Sequence, residues 1–290
     1  TMTVDDLKGQ LKEAFDLRIE RLSRATGGDI ADSYLVKTTS QHFFAKFMVH
    51  SKGLDMLKAE AEGLQAIQKI QALKVPTVIG CAPVDSGGCL LLEYIPAGPG
   101  IEGSFEALGR GLAQMHQETA DHFGWYRSNY IGSLPQENTP HKSWADFYAR
   151  CRLMPQYTLA LNKGLLAPEE VPDAQLMTSQ VSRLMPEVKP ALLHGDLWSG
   201  NYLISTDGSP YLIDPSVHFG HGEVDLAMSL LFGGFPSRFY DAYFEVTPKL
   251  EGFEARVALY QLYYLLVHLN LFGRAYSGRV LEIGSRFFRP

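Results

Sequence analysis

"LLHGDLWSGNYLI", residues 192–204, decides how this chain is read. Apolar runs flank a short polar segment that carries His194, Asp196 and Asn201. The pattern is that of a buried strand ending in a loop and resuming as a second strand. A lone His-Gly-Asp is most often a turn, because Asp accepts hydrogen bonds from nearby backbone. Asp196 and Asn201 stand five positions apart, however, and Asp214 follows a further "YLI" run. That joint pattern is much rarer by chance and points to chemistry.

Phosphoryl transfer needs a carboxylate to orient the attacking hydroxyl and accept its proton. It needs a second carboxylate and another oxygen to hold Mg²⁺ on the nucleotide phosphates, a cation on those phosphates, and a loop to cover them. The kinase template uses this spacing for its catalytic Asp and metal-binding Asn. Asp196 is then the catalytic base, and Asn201 and Asp214 are the metal ligands. Both acids are expected to face one cleft, because "ALLHGD" and "YLISTDGSPYLIDPS" read as a hairpin closed near "TDGS".

The first part of the chain supplies further parts. "FFAKF" sets Lys46 in a β-prone run, and "AEAEGL" sets Glu60 on the next helix. A strand Lys paired with a helix Glu steadies nucleotide phosphates in the template. The plain alternative is two solvated side chains, and Glu62 competes with Glu60 on spacing. Gly27 and Gly28 in "TGGDIADSYLV" let backbone N–H groups approach phosphate, although most such pairs are turns. "LLLEYIPAG" offers backbone groups of Glu93 and Ile95 to an adenine edge; its plain alternative is a buried strand.

Helical spacing over 3–23 places Leu7, Leu11, Phe15 and Ile19 on one stripe. Short strands follow, then the helix "LDMLKAEAEGLQAIQKIQ", then strands turned at "DSGG". "PAGPG" breaks the chain at 96–100. Beyond it come the helix "FEALGRGLAQMHQETA", an aromatic-rich loop over 121–142, helices over 143–163 and 168–186, and a mostly helical end. The expected fold is α+β and bilobal. A small β-rich N-lobe with one main helix (1–95) carries ATP, 96–100 is a hinge, and a larger helical C-lobe (101–290) carries catalysis and substrate. A cleft between lobes is the usual ligand site.

The net charge of −6 argues against a nonspecific nucleic-acid binder. Three cysteines without a C-x-x-C pair argue against a disulfide framework and a zinc site, so a reducing cytoplasm is expected. "TMTVDDLKGQLKEAF" has neither an apolar run nor a basic leader, so no signal peptide is expected. "YQLYYLLVHLNLFG" (260–273) is too short to span a bilayer and reads as a buried helix.

With these residues in hand, the chain resembles the fructosamine kinase (ketosamine-3-kinase) family, within the aminoglycoside-phosphotransferase-like, protein-kinase-like fold. The resemblance runs from about Leu22 to near the C-terminus. It rests on "FGWYRSNYIGSLPQENTPHKSWADFYARCRLMPQ" (123–156), "HGDLWSGN" (194–201) and "IDPSVHFGHGEVDLAMSLLFGGFP" (213–236). It implies ATP- and Mg²⁺-dependent phosphorylation at the 3-position of a ketoamine sugar, a ribulosamine or fructosamine on a small amine or on a glycated protein lysine. The product decomposes and frees the amine, which implies deglycation.

Carried over, Asp196 is the base, Asn201 and Asp214 bind Mg²⁺, Lys46 holds phosphates and Glu60 orients it. Trp198 is a candidate platform for the sugar, with a packing role as the even alternative. His194 and Asp225 brace the loop. "GGDIADSY" departs from the usual Gly-Gly-x-Ile-Asn pattern and lacks a cysteine, so no redox-linked loop disulfide is expected. Another small-molecule kinase (aminoglycoside, choline or homoserine type) and a nucleotide-binding pseudokinase are the alternatives. No nucleic acid or membrane partner is expected, and a monomer is favoured.

Overall fold

The computed structural model describes residues 2–26 and 30–289. Helix α1 (Val4–Phe15) precedes strands β1 (Ile19–Arg24), β2 (Asp32–Thr38) and β3 (His42–Met48). Helix α2 (Gly53–Ile70) and strands β4 (Val78–Val84) and β5 (Gly87–Glu93) follow. Next come α3 (Ser104–Met115), the hairpin β6 (Asn129–Ile131) and β7 (Leu134–Gln136), and α4 (Trp144–Tyr148). A π-helical turn, Ala149–Leu153, joins α4 to α5 (Met154–Asn162). Then come α6 (Ala174–Leu184), β8 (Ala191–Leu193), β9 (Tyr202–Ile204), β10 (Pro210–Leu212) and β11 (His218–Gly220). The chain ends with α7 (Glu223–Leu231), α8 (Ser237–Val246), α9 (Phe253–Phe272) and α10 (Ser277–Phe288).

The chain forms two compact units. The first runs to Ser104 and takes in Tyr202–Pro215; the second holds Phe105–Asn201 and the chain from Ser216 on.

In the first unit an antiparallel sheet has the order β1-β2-β3-β5-β4. Leu7 and Leu11 of α1 join Leu22, Val36, Phe43, Ala45, Phe47, Cys89 and Leu91 in one apolar cluster. Val36 on β2 and Phe43, Ala45 and Phe47 at alternate positions of β3 turn into this cluster, as the two-residue period of a pleated strand requires. The helical stripe read over 3–23 stops short. A Thr3–Asp6 capping box starts α1, and Asp16 ends it in the left-handed region with φ 53°. Ile19–Arg24 instead pairs with β2, so strand pairing overrides an apolar spacing that continues by coincidence.

β9 and β10 form the hairpin expected around "TDGS". β8 is not part of it: Leu193 pairs with His218 of β11. Ala191–Leu193 pairs beyond the hairpin with His218–Gly220, a long-range choice that sequence periodicity does not encode.

The second unit is built on α9, buried on nearly all sides by Trp144, Phe147, Tyr148, Leu153, Tyr157, Val224 and Met228. A helix apolar all round belongs inside a core. Trp144 Nε1 donates to Tyr260 Oη at 2.8 Å, which fixes α4 against α9. Among the described residues no helix is long and apolar enough to cross a membrane.

Candidate active site

In the first unit Lys46 is buried on β3, opposite Leu90 of β5. Its Nζ donates to Glu60 Oε1 of α2 at 2.6 Å and also to Asp214 Oδ1, just beyond β10. Spacing left Glu60 and Glu62 as alternatives; the bond runs to Glu60. Burial opposes the ammonium charge, but the Asp214 and Glu60 carboxylates outweigh it and raise the Lys46 pKa. Burial pushes Glu60 up to about 7, against the attraction of Lys46 and with the repulsion of Asp214. Lys46 is thus a fixed cation, over-supplied with carboxylate.

Asp214 has φ 50°, in the left-handed region. A non-glycine residue there costs about 1–3 kcal/mol and persists only where its surroundings hold it. The Lys46 contact is one such restraint.

Glu93 and Ile95 lie at the end of β5 and just after it. The Glu93 amide donates to Thr77 O at 2.9 Å, and its carboxylate accepts from the Thr77 amide at 3.1 Å. The amide of Glu93 is therefore committed to the protein. Beyond Ile95, Gly98 N donates to Ile204 O at 2.8 Å and Thr206 N to Pro96 O at 3.0 Å, tying this segment to the β9–β10 hairpin. Gly27 and Gly28 lie outside the described residues.

In the second unit the loop after β8 carries Asp196, Trp198 and Asn201. Asn201 is buried, and its Nδ2 donates to Asp196 O at 2.8 Å and to Asp196 Oδ2 at 3.2 Å. Those two bonds orient the amide and leave Oδ1 as the end not engaged with Asp196. The Asp196 amide donates to His194 Nδ1 at 3.1 Å, and His194 is wholly buried.

Asp225 lies beneath this loop with no exposure. It accepts from the amides of His194 (2.9 Å) and Gly195 (3.0 Å). His116 Nε2 is 2.8 Å from the same carboxylate. Burial would raise the Asp225 pKa; the hydrogen bond and charge of His116 reverse this and hold it below its ordinary value. Gly195 has φ +91°, and a Cβ there would fall 2.0 Å from Ser216 O, so only glycine fits.

Sequence reasoning missed three parts of this support. His116 binds Tyr243 Oη through Nδ1 at 2.7 Å as well as Asp225, and Tyr264 Oη donates to Gly195 O at 2.6 Å. His116 closes a periodic helix run, Tyr243 lies on the buried face of the amphipathic α8 and Tyr264 in the apolar α9, so no motif marks them. Trp198 is 37% exposed, with its ring lying over Gly200.

Asp214, in the first unit, carries a carboxylate, and Asn201, in the second, a carboxamide oxygen. Hard oxygen donors of this kind suit Mg²⁺, which usually takes one or two protein ligands and completes its shell with phosphate and water. Among the described residues no group of three or more His, Cys, Asp or Glu forms a metal cage of its own.

The fructosamine kinase family model matches residues 3–286. A Synechocystis protein named a probable ketoamine kinase is 39% identical over 94% of this chain and 92% of its own length. The Mus musculus ketosamine-3-kinase is 33% identical over 91% of this chain and 94% of its own. Among solved structures, a Thermobifida fusca protein assigned as a fructosamine-3-kinase superposes with a TM-score of 0.86 at 33% identity, over 99% of this chain and 100% of that one. An aminoglycoside phosphotransferase superposes at 0.61 with 16% identity, over 97% of this chain and 99% of that one, which places the fold in the kinase-like group.

Proposed function

The chain belongs to the fructosamine kinase family, and on that premise we propose that it is an ATP-dependent kinase acting on the sugar 3-hydroxyl of a ketoamine. The acceptor is a ribulosamine or fructosamine, carried on a small amine or a protein lysine. The observation that carries this reading is the bond from Asn201 Nδ2 to both the carbonyl and the carboxylate of Asp196. It ties a proton acceptor to a metal-type ligand within one short loop, as phosphoryl transfer requires.

In this reading Asp196 orients the sugar hydroxyl and takes its proton as the γ-phosphoryl group leaves ATP. Lys46 shifts its donors from Asp214 to the phosphates while Glu60 keeps it in place. Asp214 and Asn201 would hold Mg²⁺, which neutralises charge on the β- and γ-phosphates when bound. The backbone of Ile95 and the Glu93 carbonyl take the adenine edge, and Gly27 and Gly28 belong to the loop covering the phosphates. His194 and Asp225 brace the catalytic loop. The face of Trp198 is a platform for the apolar side of the sugar. The phosphorylated ketoamine then breaks down and frees the amine, which makes the biological role deglycation. Cys81, Cys89 and Cys151 are all free, which favours a reducing compartment such as the cytoplasm.

The test is a phosphorylation screen with one amine carrying sugars of different length, beside an aminoglycoside, choline and homoserine. Mg²⁺-dependent ADP release stimulated by a ribulosamine or fructosamine is expected. Stimulation by the other alcohols alone would overturn the reading.

A further inference from the structure

Arg152 is the largest fully buried side chain among the described residues, and it lies in the π-helical turn between α4 and α5. Such turns cluster at functional sites, because they re-aim side chains without breaking the helix. A buried cation is costly unless opposed by a carboxylate. The terminal nitrogens of Arg152 donate to neutral oxygens instead: the carbonyls of Glu137 and Cys151 and, at 2.7 Å, Asn138 Oδ1. Its Nε has no hydrogen-bond partner among the described residues. Its guanidinium lies 4.7 Å from the centre of the Phe147 ring and 5.5 Å from that of Tyr263.

The bonds continue from there in one direction. Asn138 Nδ2 donates to Asn129 Oδ1 at 2.8 Å, and Asn129 Nδ2 donates to Val217 O at 2.7 Å. Gln136 Nε2 donates to Asn129 Oδ1 at 2.9 Å and to Ser216 O at 3.3 Å, while Tyr263 Oη donates to Gln136 Oε1 at 2.7 Å. The Ser216 amide in turn donates to His194 O at 2.8 Å, two residues before Asp196. The relay grips the carbonyls of Ser216 and Val217, two and three residues after Asp214 in the chain. Side-chain hydrogen bonds linked in this way polarise one another and hold their members in one arrangement.

We propose that Arg152 is a positioning residue for phosphoryl transfer, acting through Asn138, Asn129 and Gln136 to fix the segment that follows Asp214 and, through Ser216, the loop that holds Asp196. This gives the polar Gln136-x-Asn138 element of the aromatic block a task of its own. The inference rests on the kinase reading above for its effect on turnover, and on geometry alone for its effect on order.

Asn138→Asp separates positioning from mere stability. The new carboxylate faces Arg152, and that charge pairing offsets the loss of the amide N–H groups donated to Asn129 and to Arg127 O. Positioning predicts that kcat falls about 10- to 100-fold at unchanged melting temperature, with KM for ATP within about two-fold, the scale of a small misplacement of reacting groups. Hydrogen exchange at peptides covering 192–198 and 214–219 is expected to quicken, while α9 stays protected. Tyr263→Phe removes one bond without a cavity and is expected to move both readouts in the same direction by less.

Unchanged exchange in both segments, or unchanged kcat in folded Asn138→Asp and Tyr263→Phe, would overturn the proposal. Wild-type protein inactive on every ketoamine would defeat the kinase reading instead, and the exchange measurement would still decide the positioning role.

Discussion

Lys46 Nζ lies 2.6 Å from Glu60 Oε1 and also bonds Asp214, so one buried ammonium serves two carboxylates. Removing the cation strands both. Lys46→Met is expected to destabilise the protein by about 3 kcal/mol, the scale of breaking a buried pair from one side. Glu60→Gln added to it should recover most of that loss. The sign with pH follows from Glu60, whose pKa is already pushed up to about 7 by burial. A raised carboxyl pKa gives stability at low pH that is lost as pH rises through it. Without Lys46 the Glu60 pKa rises further, so Lys46→Met should weaken more steeply than wild type between pH 5 and about 8. Urea unfolding across that range checks both points.

Asp196→Asn tests the base directly. Asn at this position still accepts from Asn201 Nδ2 through its own oxygen, so the loop keeps its shape and the melting temperature should hold. Loss of the proton acceptor should lower kcat by about 10²- to 10⁴-fold, with little change in nucleotide affinity. Single-turnover phosphorylation beside nucleotide titration separates the two. Turnover near the wild-type rate would remove Asp196 from the proposed role.

Local features were legible where a motif or a period encodes them. The β9–β10 hairpin, the strand holding Lys46, the helix holding Glu60 and the buried helix α9 all follow from alternation, turn residues or apolar density. What long-range pairing decides was not legible. β8 lies on β11, Ile19–Arg24 is a strand, and both depend on partners distant in sequence. His116 and Arg152 show the same limit at single residues. Each is a polar residue in an ordinary helix run, and only the tertiary fold brings Asp225 to one and Asn138 to the other.

His218 and His221 are both buried, and both should stay neutral well below the ordinary imidazole range. Burial, aided by Arg152, holds the His218 pKa at about 3. Burial, aided by Arg256 and His116, does the same for His221, also to about 3. From pH 6.5 downward the unfolded chain takes up these protons and the folded one does not. Stability is therefore full above pH 6.5 and is lost as pH falls toward 3, by up to about 1.4 kcal/mol per pH unit for each histidine. Urea midpoints at pH 7, 6 and 5 should fall steadily in wild type. His218→Gln removes one titrating group, so its midpoint should fall less over the same range, whatever its starting stability. A parallel slope would show that His218 takes up its proton in the folded state.

Gly200→Ala probes Trp198 without touching the ring itself. A Cβ at position 200 would fall 2.2 Å from the outer edge of the indole, so the ring must swing away. Trp198 is 37% exposed, which lets it move into solvent at small cost to the fold. If the indole face carries the sugar, displacing it removes apolar contact in both ground and transition states. KM for the ketoamine should then rise roughly ten-fold, the scale of losing about 1.4 kcal/mol of uniform binding, while kcat and KM for ATP change little. If Trp198 only packs, the same substitution should lower the melting temperature and leave both Michaelis constants where they were. Steady-state kinetics with each substrate varied in turn, beside a thermal melt, separates the two roles in one variant.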